Sequence, residues 1–452
     1  MYRRILTLAS PTVAAMISQT VINQADHVLV GRLPANEIEA GQSALQVSLI
    51  FFWAVGGSLS AIAVGTQTVA ARRLGEGRDL DAGKVLANSL AITLTLGTLA
   101  SILFWFLAPK LFPIMNHDDV VVALGVPYLR WRYLGVLAMV VTASYKSFFD
   151  GLGQTYVHLA AAVTMNVVNF VMAYGLIFGR LGMPRMGVEG AGVASCVSSF
   201  LGMLVMVGWS FRRSLRERFQ YYQRAALDGA LAREIGSLSW PSAVAVVLAM
   251  SGFGLFLNIV GRVDIAAGHT HGHTVFTTAT ANLINIFQLV FISCIAYGTA
   301  TSTLVGQSMG AREFDLAQSY AYKSAKLGFG FFAVMGAVTI VFAEPILHFF
   351  CGDAEVVRVA TPLLRVMGGF EPIACIALVF TYALYGAGNP RFVMLIEGGL
   401  HFTCLVPASW LLGITFHLGL WGCWIAMMGY VALMAAIMFW KFSTGTWKDI
   451  KI

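Results

Sequence analysis

The sequence predicts an all-α integral membrane protein, with twelve transmembrane helices in two six-helix lobes related by pseudo-two-fold symmetry. Three observations predict this class: an excess of apolar over charged residues, twelve apolar runs and a repeat between the two halves. Of the 452 residues, 58% are hydrophobic and 11% are charged, whereas a soluble chain carries about 25% charged residues. Lipid must therefore surround much of the surface, which excludes a soluble enzyme and a nucleic-acid-binding protein.

The twelve apolar runs are long enough to be spans, since a helix needs about 20 mostly apolar residues to cross a bilayer. Many of them contain glycine, which allows helices to pack closely in a membrane. Their limits are 11–31, 45–70, 85–108, 126–147, 155–179, 190–211, 238–260, 281–305, 327–343, 366–385, 392–413 and 420–440.

The basic residues are divided unevenly between the two ends of these spans. With the N-terminus inside, 20 of the 29 Lys and Arg residues lie on the cytoplasmic side and 9 on the other. Cytoplasmic loops are enriched in Lys and Arg, so we expect a multi-pass protein of the bacterial cell inner membrane with both termini cytoplasmic. The longest polar stretch follows the sixth span. We predict an N-terminal lobe at 1–211, a cytoplasmic connector at 212–237 and a C-terminal lobe at 238–452.

The two halves share short patterns at a nearly constant offset. Residues 66–75 (TQTVAARRLG) align with 301–310 (TSTLVGQSMG) at an offset of 235, and the same offset aligns 150–153 with 385–388. Six spans per half is an even number, so both halves cross the membrane in the same sense, as parallel repeats do. This architecture is typical of secondary transporters. The sequence has no GxxxxGK[ST] phosphate loop, so we expect an ion gradient to supply the energy.

Several short motifs, spread over essentially the whole chain, carry a resemblance to a known family. They are Pro11, Ala25 to Leu33 (ADHVLVGRL), Gln67 to Gly75, Gly306 to Ala311, Asn166 to Asn169 and Gly187 to Ser195. On these motifs the sequence resembles the multidrug and toxic compound extrusion (MATE) transporters. The resemblance implies antiport of organic compounds against a cation through two six-helix lobes. The wider superfamily also contains flippases for lipid-linked saccharides, which are the alternative function.

Asp26 is an ionisable residue inside the first span, about 8 Å from its outer end at 1.5 Å per residue. An ionisable group at such a depth is costly and is a functional hypothesis by default. Asn23 lies three residues earlier on the same helical face. The resemblance places the coupling carboxylate of the family at Asp26. A structural aspartate near the outer boundary is the alternative.

The resemblance implies further groups of a first-half cation site. The family uses an asparagine and a second aspartate on the fifth span and a hydroxyl on the sixth. Asn169 matches the asparagine and Ser195 the hydroxyl, but the position of the second aspartate is Ala173. Hard cations prefer anionic oxygens, so we expect H⁺ rather than Na⁺ as the coupling ion. Polar side chains also join spans, and this is the alternative role of Asn169 and Ser195.

Three candidate residues lie in the second half. Glu371 precedes Pro372 at the opening of the tenth span, where it is either a coupling group or a residue at headgroup level. The resemblance puts the acidic position of the family one turn deeper, at Ala374. Glu397 and His401 are four residues apart and share a face of the eleventh span. They form either a proton relay or a structural pair near the inner boundary.

His269, His271 and His273 alternate in the loop between the seventh and eighth spans. Alternating histidines bind zinc in some proteins, but we interpret this segment as an outer loop and predict neither a metal site nor a cofactor.

The remaining expectations concern substrates and partners. A flippase for a lipid-linked saccharide needs arginines in its cleft to hold a pyrophosphate. The span interiors have almost no Arg or Lys, which favours the antiporter. We expect lipophilic organic cations as substrates, membrane lipids but no nucleic acid as partners, no enzymatic activity and a monomer.

Overall fold

The computed structural model describes residues 1–269 and 274–450, and the side chains of residues 19–27, 35–36 and 224 are not described. Within this part of the chain the structure is helical and contains no strand. Lipid offers no hydrogen-bond partners, so a spanning segment must satisfy its own backbone groups, as a helix does. The α-helices are α1 (Tyr2–Val30), α2 (Ala35–Phe52), α3 (Ser58–Ser60), α4 (Ile62–Gly75), α5 (Asp79–Met115), α6 (Asp119–Gly151), α7 (Tyr156–Phe178), α8 (Gly187–Ser210), α9 (Arg213–Phe219), α10 (Gly229–Ala266), α11 (Val275–Gly310), α12 (Phe314–Val341), α13 (Ala343–Phe350), α14 (Ala354–Gly386), α15 (Pro390–Leu400), α16 (Val406–Trp410) and α17 (Gly419–Ser443).

In the described ranges, three π-helical segments interrupt the spans: Trp53–Gly57, His401–Leu405 and Leu411–Thr415. The second of them precedes Pro407. A proline has no N–H to donate, and its ring clashes with the carbonyl group four residues earlier. A widened turn before Pro407 relieves that clash, so the span Pro390–Thr415 is continuous but irregular.

Eleven segments among the described residues are long and apolar enough to cross a membrane. The other long helix is α1, with 29 residues, and it contains the segment 19–27. The prediction of an integral membrane protein built from helices is confirmed, and the count of twelve spans stays a prediction. Several helices are longer than the apolar runs: α6 extends the run 126–147 to Asp119–Gly151.

The helix bounds repeat at the same offset as the sequence patterns. In the first half α5 begins at Asp79 and ends at Met115. At the corresponding positions of the second half, α12 begins at Phe314 and α13 ends at Phe350. The bounds of α6 and α14 are likewise related by this offset at both ends.

The same offset relates two N-caps that the sequence analysis did not single out. Asp118 Oδ1 accepts a hydrogen bond from the backbone N–H of Val120 at 2.8 Å, and so begins α6. Asp353 Oδ1 accepts one from Glu355 at 2.8 Å and begins α14. A side-chain acceptor at this position satisfies backbone donors that have no partner within the helix. The two halves therefore start the corresponding helix in the same way.

Two glycines bring helix backbones into contact, again at corresponding positions. A Cβ atom at Gly151 would lie 3.0 Å from the carbonyl oxygen of Gln67, and one at Gly386 would lie 2.3 Å from that of Ser302. Gly386 corresponds to Gly151 in the repeat, and Ser302 corresponds to Gln67. The contact joins α6 to α4 in one half and α14 to α11 in the other. Close approach through glycine is a common basis of helix association in membranes.

The chain forms two compact units. The N-terminal unit is Leu8–Ala243, and the C-terminal unit is Val244–Ile452 with Met1–Thr7. The division falls inside the continuous helix α10, whereas the predicted lobes end at 211 and begin at 238. The expected connector 212–237 lies wholly in the N-terminal unit.

Gly386 provides a direct test of the glycine contacts. We expect Gly386→Ala to destabilise the protein by about 1–3 kcal/mol, because its Cβ would overlap the backbone of Ser302. The matched control is Gly399→Ala, since a Cβ at Gly399 meets no atom within 4 Å. The measurement is thermal unfolding in detergent. Equal midpoints for the two variants would contradict the role given to the contact.

Candidate functional site

Asn169 and Ser195, which the sequence predicts as site residues, lie together in the N-terminal unit. Asn169 on α7 donates through Nδ2 to Ser195 Oγ on α8 at 3.1 Å, and to Ser198 Oγ at 3.5 Å. All three side chains are buried, with exposed fractions of 3%, 6% and 2%. Buried polar side chains are paired because an unpaired one is costly. The structure therefore places a small cluster of amide and hydroxyl groups between two apolar helices.

A second asparagine connects α7 to α1. Asn166 Nδ2 donates to Ser18 Oγ, while Asn166 Oδ1 is buried without a hydrogen-bond partner among the described residues. Ser18 precedes Asp26 by eight residues, which is about 12 Å along a helix. Asn23 and Asp26 therefore follow the point where α1 meets α7. Their own side chains lie outside the described residues.

The position of the missing aspartate is apolar in the structure. Ala173 is fully buried in a cluster with Leu29 and Val30 of α1, and with Leu176 and Ala191. Thus α1 meets α7 through Ser18 before the segment 19–27, and Leu29 and Val30 after that segment belong to the same apolar cluster as Ala173 of α7.

The structure corrects the expected position of Glu371. This residue does not open a span, because α14 is continuous from Ala354 to Gly386 and Glu371 lies near its middle. The residue is 2% exposed, so its carboxyl group is buried within the protein. Its Oε1 accepts a hydrogen bond from Thr339 Oγ1 of α12 at 2.8 Å, and its Oε2 has no partner among the described residues.

Glu397 and His401 are in contact, but through the main chain. His401 Nδ1 lies 2.7 Å from the backbone oxygen of Glu397. The His401 ring is buried against Tyr430, with 4.6 Å between ring centroids. This bond fixes the imidazole at the start of a π-helical segment. The structure gives no contact between the imidazole and the Glu397 carboxylate, so the geometry holds His401 in place without showing a relay.

A family model described as MatE matches residues 11–175 and 241–402. The chain belongs to the MATE family.

Curated MATE relatives match nearly the whole chain. The probable multidrug resistance protein NorM of Thermotoga maritima is 24% identical, and the match covers 99% of this chain and 93% of that protein. The multidrug resistance protein MdtK of Yersinia pseudotuberculosis is also 24% identical, with 96% and 94% covered.

Solved structures share the fold. A MOP superfamily transporter from Pyrococcus furiosus aligns with a TM-score of 0.89 at 20% sequence identity, covering 99% of this chain and 96% of that one. An outward-facing multidrug resistance MATE family transporter gives the same TM-score, identity and coverage. The fold expected from the resemblance is thus that of known MATE structures.

The histidine loop of this MATE protein contains a hydrogen-bonded group that the sequence analysis missed. His269 Nδ1 lies 2.6 Å from Asp264 Oδ1, and Asp264 also accepts from the backbone N–H of Phe276 at 3.0 Å and of Thr277 at 2.9 Å. Asp264 is fully buried near the end of α10, and its carboxylate accepts from backbone N–H groups in the first turn of α11. His271 and His273 lie outside the described residues. Among the described residues no group of three or more His, Cys, Asp or Glu could hold a metal.

Arg132 is a basic residue within the apolar run 126–147. It lies well inside α6, which begins at Asp119, at about 20 Å from that end of the helix. Its guanidinium carbon is 4.1 Å from the centroid of the Phe52 ring, a cation–π contact.

A buried ion pair near the end of α6 also escaped notice. Lys146 Nζ lies 2.7 Å from Asp150 Oδ2, and the Asp150 side chain is 1% exposed. The spacing of four residues on one helix is the signal that could have found it. The contact between Thr339 and Glu371 has no such signal, because 32 residues separate the partners.

Thr339 provides a test of the Glu371 environment. We expect Thr339→Val to destabilise the protein by about 1–3 kcal/mol. The substitution removes the hydroxyl that donates to Glu371 Oε1, and Oε2 already has no donor among the described residues. The matched control is Thr361→Val, since Thr361 is as buried but bonds only to its own helix, at Val357. Thermal unfolding in detergent is the measurement. If the control lost as much stability as Thr339→Val, the hydrogen bond to Glu371 would contribute no more to stability than a bond within one helix.

Proposed function

We propose that this protein is a multidrug efflux transporter that exchanges lipophilic organic cations for protons by alternating access. Membership of the MATE family supports transport. The relatives named as multidrug resistance proteins support multidrug efflux. We propose no enzymatic activity and no cofactor. The substrates are small organic compounds, and membrane lipids rather than nucleic acids surround the protein.

One observation carries the proposal: the helix with the carboxylate Asp26 is hydrogen-bonded, through Ser18 and Asn166, to α7, the helix that also carries Asn169. Ser18 and Asn166 join α1 to α7 on the N-terminal side of Asp26. On its C-terminal side, Leu29 and Val30 belong to the same apolar cluster as Ala173. A carboxylate on such a helix is either neutralised or paired, because an isolated charge in apolar surroundings is costly. Proton binding and cation binding therefore compete for the same group.

Competition between a proton and a cationic substrate for Asp26 is sufficient to exchange one for the other across the membrane. With Asp26 ionised, the site attracts a cationic substrate. When Asp26 takes a proton from the outer side, the attraction is lost and the substrate leaves. Return of the protonated state to the inner side and loss of the proton complete the cycle. Glu371, Glu397 and His401 are the proposed ionisable groups of the C-terminal unit.

The composition of the polar cluster supports H⁺ over Na⁺. Its described members, Asn169, Ser195 and Ser198, are neutral, and Ala173 packs among apolar side chains. Sodium is a hard cation that prefers carboxylate oxygens. A site with one carboxylate holds a proton well and sodium weakly.

For the architecture we propose twelve spans in two six-helix lobes, in a monomer of the bacterial inner membrane. The repeated helix bounds and N-caps support the two halves. The excess of Lys and Arg on one side supports cytoplasmic termini.

The alternative is a flippase for a lipid-linked saccharide or a related amphiphile. Arg132, held over the Phe52 ring inside α6, is the observation that favours it. A pyrophosphate requires several charged donors, and one guanidinium supplies part of that requirement. We therefore place the antiporter first.

Asp26→Asn tests the coupling group. Asn has the shape of Asp but cannot change charge, so we expect transport driven by a pH gradient to fall to background while folding is retained. The measurement is transport in proteoliposomes at equal protein content, together with thermal stability. Asp119→Asn is the matched control, because Asp119 is an exposed carboxylate at the start of α6. Near-normal transport by Asp26→Asn would move the coupling role to another residue.

The coupling ion is tested in the same proteoliposomes. We expect a pH gradient alone to drive transport in the absence of Na⁺. The matched variant Ala173→Asp adds the second carboxylate, and we expect Na⁺ to stabilise it against heat more than the original chain. A strict requirement of the original chain for Na⁺ at fixed pH would refute the preference for protons.

A further inference from the structure

The segment that follows α8 is firmly attached to the N-terminal unit. A Cβ atom at Gly83 of α5 would lie 1.7 Å from the carbonyl oxygen of Phe219, so the backbones of α5 and α9 touch at this point. Gly83 and Phe219 are both buried. Only a glycine leaves room for such an approach. The short helix α9 therefore has a defined position on the end of the unit.

Aromatic side chains hold the same segment on α6. The Phe148 ring meets the Phe219 ring at 5.7 Å and the Tyr221 ring at 5.9 Å, both edge-on. The hydroxyl of Tyr222 is 2.7 Å from that of Tyr145. Edge-to-face pairs of this kind add to the stabilisation from burial.

The helix α9 has one apolar and one basic face. Leu215 and Phe219 are buried with exposed fractions of 8% and 1%. Arg212 precedes the helix, and Arg213 and Arg216 lie three residues apart on it. All three arginine side chains are exposed.

These three arginines are not neutralised by strong ion pairs. Arg213 pairs with Glu217 at 2.7 Å, but both side chains are more than half exposed, and such a pair contributes little. Arg212 and Arg216 have no ion pair among the described residues.

The neighbouring Arg218 differs from these three arginines because its guanidinium group is already paired with the Asp79 carboxylate. Arg218 donates to both Asp79 oxygens, at 2.7 and 3.1 Å. These hydrogen bonds raise the pKa of Arg218 above its usual value. The charges left for an outside partner are those of Arg212, Arg213 and Arg216.

Aromatic rings border the three arginines. The Arg212 guanidinium lies 3.2 Å from the centroid of the Trp209 ring. The Phe211 ring is 54% exposed and stacks at 5.0 Å on the ring of Tyr222, which is 41% exposed. Exposed aromatic and basic residues at the end of a span are typical of the headgroup level of a membrane.

We propose that Arg212, Arg213 and Arg216, bordered by Phe211 and Tyr222, form a binding surface for anionic phospholipid headgroups. The guanidinium groups bind the lipid phosphates, and the rings lie against the glycerol and upper acyl region. A free phosphate uses the arginines but has no group for the exposed rings, which is why we assign the surface to lipid. Basic residues next to a span bind anionic lipids in the cytoplasmic leaflet. The choice of leaflet rests on the orientation given under the proposed function, whereas the binding itself does not.

The test compares lipid binding by the purified full chain and two triple variants. The first is Arg212→Gln/Arg213→Gln/Arg216→Gln. The matched control is Arg358→Gln/Arg365→Gln/Arg391→Gln, which removes three exposed arginines elsewhere. Native mass spectrometry measures bound phosphatidylglycerol and phosphatidylcholine in mixed micelles. We expect the first variant to bind phosphatidylglycerol about tenfold more weakly, and the control and all phosphatidylcholine binding to stay within a factor of about two.

Two further arms keep the result interpretable. Arg212→Lys/Arg213→Lys/Arg216→Lys retains the charges and should retain most of the binding, which separates charge loss from misfolding. Binding by the original chain should also weaken as salt rises from about 0.05 to 0.5 M. Unchanged binding by the Gln triple, equal loss by the control, or competition by soluble glycerol 3-phosphate as effective as that by lipid would each overturn the proposal.

Orientation is tested separately with Ser214→Cys, an exposed position on α9. An impermeant thiol reagent should not label it in intact cells. Labelling would move the lipid surface to the other leaflet without changing the binding result. Because the binding assay involves no transport, failure of the antiport proposal and failure of the lipid proposal are distinguishable.

Discussion

The contact of a glycine with the carbonyl oxygen of another helix is the constraint on which much of this structure depends. Lipid is as apolar as the side chains it contacts, so burial alone gives little reason for membrane helices to associate. Close approach of helix backbones takes the place of burial as the basis of association. It occurs at Gly151 and Gly386 between spans and at Gly83 against α9. Between α7 and α8, a Cβ atom at Gly190 would lie 2.9 Å from the carbonyl carbon of Leu176, and at this spacing Asn169 and Ser195 come within hydrogen-bonding distance. The polar clusters are therefore a consequence of the packing.

The buried polar groups differ in how completely they are satisfied, and this difference distinguishes structural from functional candidates. Asp264 accepts three hydrogen bonds, two of them from the first turn of α11, which is a sufficient reason for its presence. Glu371 has a donor for one oxygen only among the described residues. A half-satisfied carboxyl group is costly to keep in an apolar interior. Such a residue calls for an explanation beyond stability, and the proton exchange that we propose for Glu371 is one.

The fold was largely predictable from the sequence, because composition and the length of apolar runs report directly on the solvent. The constant offset between the repeated patterns likewise predicted the repeated helix bounds. Individual sites were less predictable. Glu371 was placed at the opening of its span because the apolar run begins only at 366, whereas α14 begins twelve residues earlier at Ala354. The partner of Glu371 could not be found, since Thr339 comes near only when α12 and α14 pack.

The π-helical segments have a consequence for how far the two halves are alike. By the offset of the repeat, Asn169 of α7 corresponds to Cys404, which lies within the π segment His401–Leu405. A π turn holds one residue more than an α turn, so residues after it are rotated by about 100° relative to a regular helix. Beyond His401, positions that correspond in sequence no longer face the same way. The amide of Asn169 has no counterpart at Cys404, and the π turn changes the direction of the side chains that follow. The two halves therefore differ in the polar groups they present, although their helix bounds match.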